Sequence, residues 1–193
     1  NNAGIYMNAP ISMRMNMHMF GGMYAPTDYL TLMIMSGYIE KEMIQQRMPM
    51  AGGKRFQVNS NGISDTRISG LIKLFDEKKI KTHLGIGLSL PTGSIDKRDT
   101  TPNSLSARLG YGMQNGSGTF DTMIFLNNVN NFGKIKLGEQ FLFKKSASGK
   151  NSKDYKYGDF YQSTIWASYS WLKNLSSSLK LNYNYQSQMK GSD

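Results

Sequence analysis

The chain has 193 residues, 39% of them hydrophobic, no cysteine, and a net charge of +10 from 23 lysine and arginine against 13 aspartate and glutamate residues. That length suits one domain. The missing cysteine excludes disulfides and thiolate metal sites, and no run approaches the roughly 18 apolar residues of a membrane-spanning helix. The basic clusters Lys54-Arg55, Lys78-Lys79-Ile80-Lys81 and Lys144-Lys145 are short and scattered with no recognition helix beside them, so nucleic acid is not an expected partner.

Taken in chain order, the hydrophobic pattern repeats every two residues and predicts eight β-strands and no helix. The first runs from about Ser12 to Tyr24, with Met13, Met15, Met17, Met19 and Met23 on one side and Arg14, Asn16, His18, Gly22 and Tyr24 on the other. The second, about Tyr29 to Ile39, sets Leu30, Leu32, Ile34 and Tyr38 against Thr31, Met33, Met35 and Gly37. In the third, about Thr66 to Phe75, Ile68, Ile72 and Leu74 oppose Arg67, Ser69 and Lys73. In the fourth, Leu84, Ile86, Leu88 and Leu90 oppose His83, Gly85, Gly87 and Ser89. The fifth carries Phe120, Thr122, Ile124 and Leu126 on one face. The sixth carries Ile135, Leu137, Phe141 and Phe143 against Lys136, Gly138, Gln140 and Lys144, with Glu139 interrupting the apolar side. The seventh (Tyr161, Ile165, Ala167, Tyr169, Trp171) and eighth (Leu179, Leu181, Tyr183, Tyr185) are the most aromatic, as expected of side chains that meet lipid and then headgroups.

Short links (Ala25 to Asp28, Asp76 to Lys79, Asn127 to Gly133, Lys173-Asn174) alternate with long ones (about Glu40 to Asp65, Pro91 to Thr119, Lys145 to Asp159). Outer-membrane barrels alternate tight periplasmic turns with generous extracellular loops, so the pattern predicts an all-β, antiparallel transmembrane β-barrel of about eight visible strands, residues 1–193 forming a single domain. With short turns in the periplasm, the first strand enters from outside, which predicts a fragment of a larger barrel, truncated at both ends by an odd number of strands. The alternatives are a complete eight-stranded barrel inserted in this order and a soluble sandwich or lipocalin-like barrel with its alternating apolar residues inside. The glycine- and serine-rich opposite face suits a wet lumen better than a soluble protein's charged exterior.

The segments ISMRMNMHMFGGMYAPTDYLTLMIM (Ile11 to Met35), GLSLPTGSID (Gly87 to Asp96) and YGMQNGSGTFD (Tyr111 to Asp121) resemble the outer-membrane transporter family of the phenol-degradation meta-pathway. Members carry a Met-alternating MDMHMF-like strand, an APTD turn, an LPTGS strand exit and a QxGSGTxD return into the sheet. The resemblance covers most of residues 11 to 126. It implies a signal-bearing barrel of more than eight strands that passes small, hydrophobic or aromatic molecules across the bacterial outer membrane. Arg14 stands where an acidic residue is common in that family, which removes the ground for a cation preference.

The methionine ladder invites a Cu(I) reading, because thioethers are soft ligands and His18 adds an imidazole. Turning those methionines into the lumen would push Arg14, Asn16 and His18 into lipid, at about 2–4 kcal/mol for an arginine near the midplane, so the ladder is expected to face lipid. The better copper candidate is then Met33 and Met35, read as lumen-facing, with His18 on the adjoining strand. His18 and His83 have no spaced triad around them, and Gly85-Ile86-Gly87 lies within a strand, so neither an enzyme nor a nucleotide site is expected. Arg14, Arg67, Lys73, Lys136, Lys144 and Lys180, read as lumen-facing, outnumber the inward acids, chiefly Asp121, and predict an anion-favouring pore unless loop acids such as Asp96 and Asp99 neutralise them. The expected partners are outer-membrane lipid or lipopolysaccharide and a small solute, with no cofactor and no oligomeric state fixed. The competing functions are a non-conducting surface barrel that binds a partner through its loops, and copper handling through methionine and histidine.

Overall fold

The computed structural model describes residues 8–47 and 52–191. Among them the chain is all-β, and its only helical element is the three-residue 3-10 turn Tyr111–Met113. The strands in chain order are β1 Asn8–Thr27, β2 Leu30–Arg47, β3 Arg55–Ile63, β4 Thr66–Asp76, β5 Ile80–Leu90, β6 Arg98–Thr101, β7 Ser104–Arg108, β8 Asp121–Phe132, β9 Ile135–Ser146, β10 Tyr155–Lys156, β11 Phe160–Leu172, β12 Leu175–Gln186 and β13 Lys190–Gly191. Eight of them make one antiparallel sheet in the order β1-β2-β4-β5-β8-β9-β11-β12, and β3 pairs with the far half of β2. Along this sheet each strand pairs with the main-sheet strand that precedes and follows it in the chain, the short β3, β6, β7 and β10 lying in the intervening connections. The sheet forms a half-barrel in which β1 pairs only with β2 and β12 only with β11 among the described residues.

Four segments expected to be links contain paired strand. The segment expected to be a loop from Glu40 to Asp65 is mostly strand. β2 runs on to Arg47 and β3 returns beside it, from Gln46↔Arg55 to Tyr38↔Ile63, while residues 48–51 lie outside the described residues. Charged and apolar side chains come in runs here, Glu40-Lys41-Glu42 and then Met43-Ile44, so no period-two apolar row marks the strand, and backbone pairing holds it instead. The Asn-rich segment from Asn127 to Gly133 is likewise the end of β8, paired with β5 and β9. The turn itself is Gly133-Lys134, where Gly133 has φ +75° and its N–H donates to Asn131 Oδ1 at 3.2 Å. The long loop after β5 contains the β6–β7 hairpin and then lies against the sheet. In the last long loop β10 pairs with β13 beyond the end of β12.

Cross-strand register decides which residues share a face. One face carries Arg67↔Ser89↔Asp121↔Ser146, Ser69↔Gly87↔Met123↔Lys144 and Leu71↔Gly85↔Phe125↔Leu142. On it Ser89, Asp121, Met123, Phe125 and Thr164 are buried, so it is the inner face. The outer face carries Ile34↔Ile68↔Leu88, Gly70↔Ile86↔Ile124↔Phe143 and Ile72↔Leu84↔Leu126↔Phe141, continued by Ile165↔Leu181. Among the described residues nothing covers this outer face: Ile86 is 55% exposed, Ile124 52% and Leu181 59%. The apolar core is correspondingly small. It lies at the long-loop rim, where Val58, Leu109 and Met113 pack with Met43 and Phe56.

The first strand is turned the other way from its expected orientation. Met13 pairs with Met43, Met17 with Ile39, Met19 with Gly37 and Met23 with Met33, while Gly21 faces Met35, so the ladder lies on the inner face with Met33 and Met35. Arg14, opposite Glu42, and His18, opposite Tyr38, lie on the outer face. Alternation within one strand says which residues go together; only pairing with the neighbour says which set is inside. Arg14 can stand on the outer face because its stretch of β1 runs past the apolar rows. There the outer face reads Asn16↔Glu40↔Asn61 and Arg14↔Glu42↔Asn59, polar on three successive strands.

Candidate inner-face binding site

Two glycines on the inner face are overlaid by aromatic rings from the next strand, Gly85 by Phe125 and Gly138 by Trp166. A Cβ at either position would collide with the ring, so these positions accept only glycine while the ring stays flat. The flattened rings leave the rest of the inner face to polar and flexible side chains.

The segment from Leu109 to Asp121 folds down onto this face and contains its most buried residues, among them Met113, Gln114, Asn115, Ser117 and Thr119. Asp65, in the break between β3 and β4, fastens it: Gly93 N–H donates to Oδ1 at 3.0 Å and Ser117 N–H to Oδ2 at 2.7 Å. Gln114 adds a second fastening, accepting from Lys97 N–H at 2.7 Å and donating to Leu109 O at 2.6 Å. Lys41 Nζ donates to Gly112 O at 2.9 Å and also to Gln114 O, and burial pushes its ammonium below the usual lysine pKa. Asp121, at the foot of the segment, accepts from Thr119 Oγ1 at 2.7 Å and pairs with Lys144 Nζ at 3.1 Å.

Beneath this segment lies a cavity of about 240 Å³, lined by Met17, Met19, Met35, Ile39, Arg67, Ser89, Asn115 and Lys144, among others. A second cavity of about 300 Å³ adjoins it, with Met123, Leu142, Phe160, Gln162 and Gln186 on its walls; Arg67 and Lys144 line both. Asn115 is only 6% exposed, and neither its Oδ1 nor its Nδ2 has a hydrogen-bond partner among the described residues. A buried carboxamide with both ends unused is costly, and a bound molecule or water would satisfy it.

Of the residues read as lumen-facing, Arg67, Lys73, His83, Lys136 and Lys180 lie on the inner face, and Arg14 and His18 on the outer. The proposed His18–Met33–Met35 copper set is therefore not assembled, since the imidazole and the thioethers project to opposite sides of the sheet. The inner cations are not neutralised by Asp96 and Asp99 either. Asp96 pairs with Arg98, Arg108 and Lys153 in the loops, and burial, which raises its pKa, is outweighed by the Arg98 hydrogen bond and the charges of Arg98 and Lys153, leaving it below the ordinary carboxylate value. Asp99 accepts from the N–H groups of Asn59 and Thr100. Lys73 is paired with Asp76 at 2.7 Å, whereas Arg67, Lys136 and Lys180 have no ion-pair partner among the described residues. Asp65, Asn115 and the inward position of Met17 and Met19 escaped the sequence reading. Asp65 and Asn115 fell in segments read as loops, and the only hint was the small-residue run Gly116-Ser117-Gly118-Thr119, which lets backbone approach backbone.

The class defined by this arrangement is an all-β antiparallel half-barrel, apolar and uncovered outside, polar inside, with one long segment fastened across its inner face. Compared with protein-family models the chain matches none, and no curated protein matches it.

Proposed function

We propose that this chain forms part of the wall of a bacterial outer-membrane β-barrel channel that passes small solutes and prefers anions. The observation that carries the reading is the uncovered apolar outer face joined to a polar inner face: rows such as Ile34–Ile68–Leu88 need a non-aqueous neighbour, which lipid supplies. The long rim of paired strand beyond those rows then stands outside the membrane, and the tight turns face the periplasm. The resemblance of the methionine strand and the LPTGS and GSGTFD segments to the meta-pathway transporters agrees with this and extends it to hydrophobic or aromatic cargo.

The anion preference rests on Arg67, Lys136 and Lys180, inner cations without an acidic partner among the described residues. Reconstituted in planar bilayers under a salt gradient, the protein is expected to give a reversal potential of anion-selective sign, shifted toward cations by the Arg67→Glu, Lys136→Glu and Lys180→Glu replacements together. Cation selectivity in the unmodified protein rules the preference out. The second reading, a non-conducting surface barrel that binds a partner through its loops, is favoured by the segment fastened across the inner face. It requires a closed pore, so absence of single-channel conductance would establish it over the channel.

A further inference from the structure

The two cavities that meet at Arg67 and Lys144 combine chemistry that a simple aqueous pore has no need of. One is walled by Met17, Met19 and Met35, the other by Met123, Leu142 and Phe160, and the two cations stand where they join. Over the first cavity lies Asn115, nearly buried, with both its donor and its acceptor unused. The local acids are already engaged: Asp65 by two backbone N–H groups, and Asp121 by Thr119 and Lys144. The Arg67 guanidinium, unlike Lys144, has no ion-pair partner among the described residues.

We propose that this junction is a binding site for organic carboxylates carrying an apolar chain, with the carboxylate held by Arg67 and Asn115 and the chain laid along the methionines. The proposal rests on the channel reading and names the class of solute its inner face selects. A guanidinium presents paired N–H donors that match the two oxygens of a carboxylate, and the Asn115 amide adds a third donor within the same cavity. Methionine is unbranched and polarizable, so a methionine wall adapts to aliphatic chains of differing shape without a fixed pocket. A small inorganic anion would meet the cation but leave the methionine wall wet. An uncharged alcohol would cover the methionine wall but leave the Arg67 charge without a counter-ion. A soft metal cation is disfavoured because Arg67 and Lys144 line the same space as Met17, Met19 and Met35.

The test uses the full chain in lipid nanodiscs with [13C-methyl]methionine labelling and octanoate as the probe. Saturable shifts of the Met17, Met19 and Met35 methyl signals are expected, with acetate, octanol and octylammonium each at least tenfold weaker. Arg67→Gln is expected to weaken octanoate at least tenfold, Arg67→Lys to restore part of the loss, and Arg14→Gln, on the opposite face, to change nothing. Equal shifts from octanol would mean apolar partition only, equal competition by acetate a general anion site, and an unaltered Arg67→Gln response a site elsewhere; each overturns the proposal. Conductance measured in parallel separates the two levels of argument. A conducting protein without octanoate binding loses this inference alone, whereas octanoate binding by a protein that never conducts upholds the site and removes the channel.

Discussion

A methyl group on Gly85 has nowhere to go, because the Phe125 ring lies over that position from the adjoining strand. Gly85→Ala is therefore expected to destabilise the sheet by about 1–3 kcal/mol through overpacking, despite alanine's smaller loss of backbone entropy. Pairing it with Phe125→Leu is expected to recover part of that loss, a coupling of at least about 0.5 kcal/mol in a double-mutant cycle read from denaturant titrations. Strict additivity of the two changes would show that ring and glycine do not interact. Asp65 is the other single residue with a large reach, since its two oxygens hold Gly93 and Ser117 at once. In Asp65→Asn one carboxylate oxygen becomes an NH2 group pointing at a backbone donor, and the expected loss is about 2–3 kcal/mol of fastening for the segment after β5. Limited proteolysis within residues 91–119 measures it: faster cleavage with the sheet's circular dichroism unchanged is expected, and unchanged cleavage would show that Gln114 and Lys41 suffice.

The β4–β5 turn is held by a triad of charges rather than by packing. Lys73 Nζ lies 2.7 Å and Lys81 Nζ 3.0 Å from the two oxygens of Asp76. Their hydrogen bonds and charges lower the Asp76 pKa from 3.8 to about 2. A carboxyl whose folded pKa is depressed contributes stability that is complete above its unfolded value and is lost as pH falls through its folded value. The stability advantage of the natural chain over Asp76→Asn is thus expected to hold above about pH 4 and vanish by about pH 2, with the carboxyl carbon itself titrating near the lower value. A constant difference across that window would show that the lysines do not favour the carboxylate.

The same scale shows how far the sequence can be read. Wherever an apolar row faces one way without interruption, as in Leu84 to Leu90, alternation alone located the strand. Where both faces are mixed, as in Glu40 to Arg47 and Asn127 to Phe132, strands exist that no periodicity announces, because backbone pairing needs no particular side chain. The orientation of β1 was illegible for another reason. Its methionines alternate with Arg14, Asn16 and His18, and the cost of an arginine in lipid points the methionines outward. Met13↔Met43 and Met23↔Met33 instead place them against an inner face where a flexible apolar wall adjoins cations. The inner site was half legible: Arg67 and Lys144 were visible as polar alternates on their strands, while Asn115 depends on a fold-back that no local pattern encodes.

At the scale of the whole molecule, the sheet cannot both close on itself with eight strands and keep what lies inside it. An eight-stranded barrel has an interior just wide enough for its own side chains. Here the inner face also carries the segment from Leu109 to Asp121, fastened through Asp65 and Gln114, together with Phe125 and Trp166 lying across their glycines. In a bilayer neither β1 nor β12 can leave its outer edge unpaired, so the channel reading requires additional strands at both edges. Spin labels at Met17 on β1 and Asn182 on β12 test this by electron–electron distance measurement. Eight strands spaced about 4.8 Å apart around a half-circle put the two edges about 20 Å from one another, whereas closure of β1 on β12 would make them adjacent strands, under about 10 Å apart. A single short distance would show that β1 closes on β12, that the fastened segment is expelled from the interior, and that no further strands are needed.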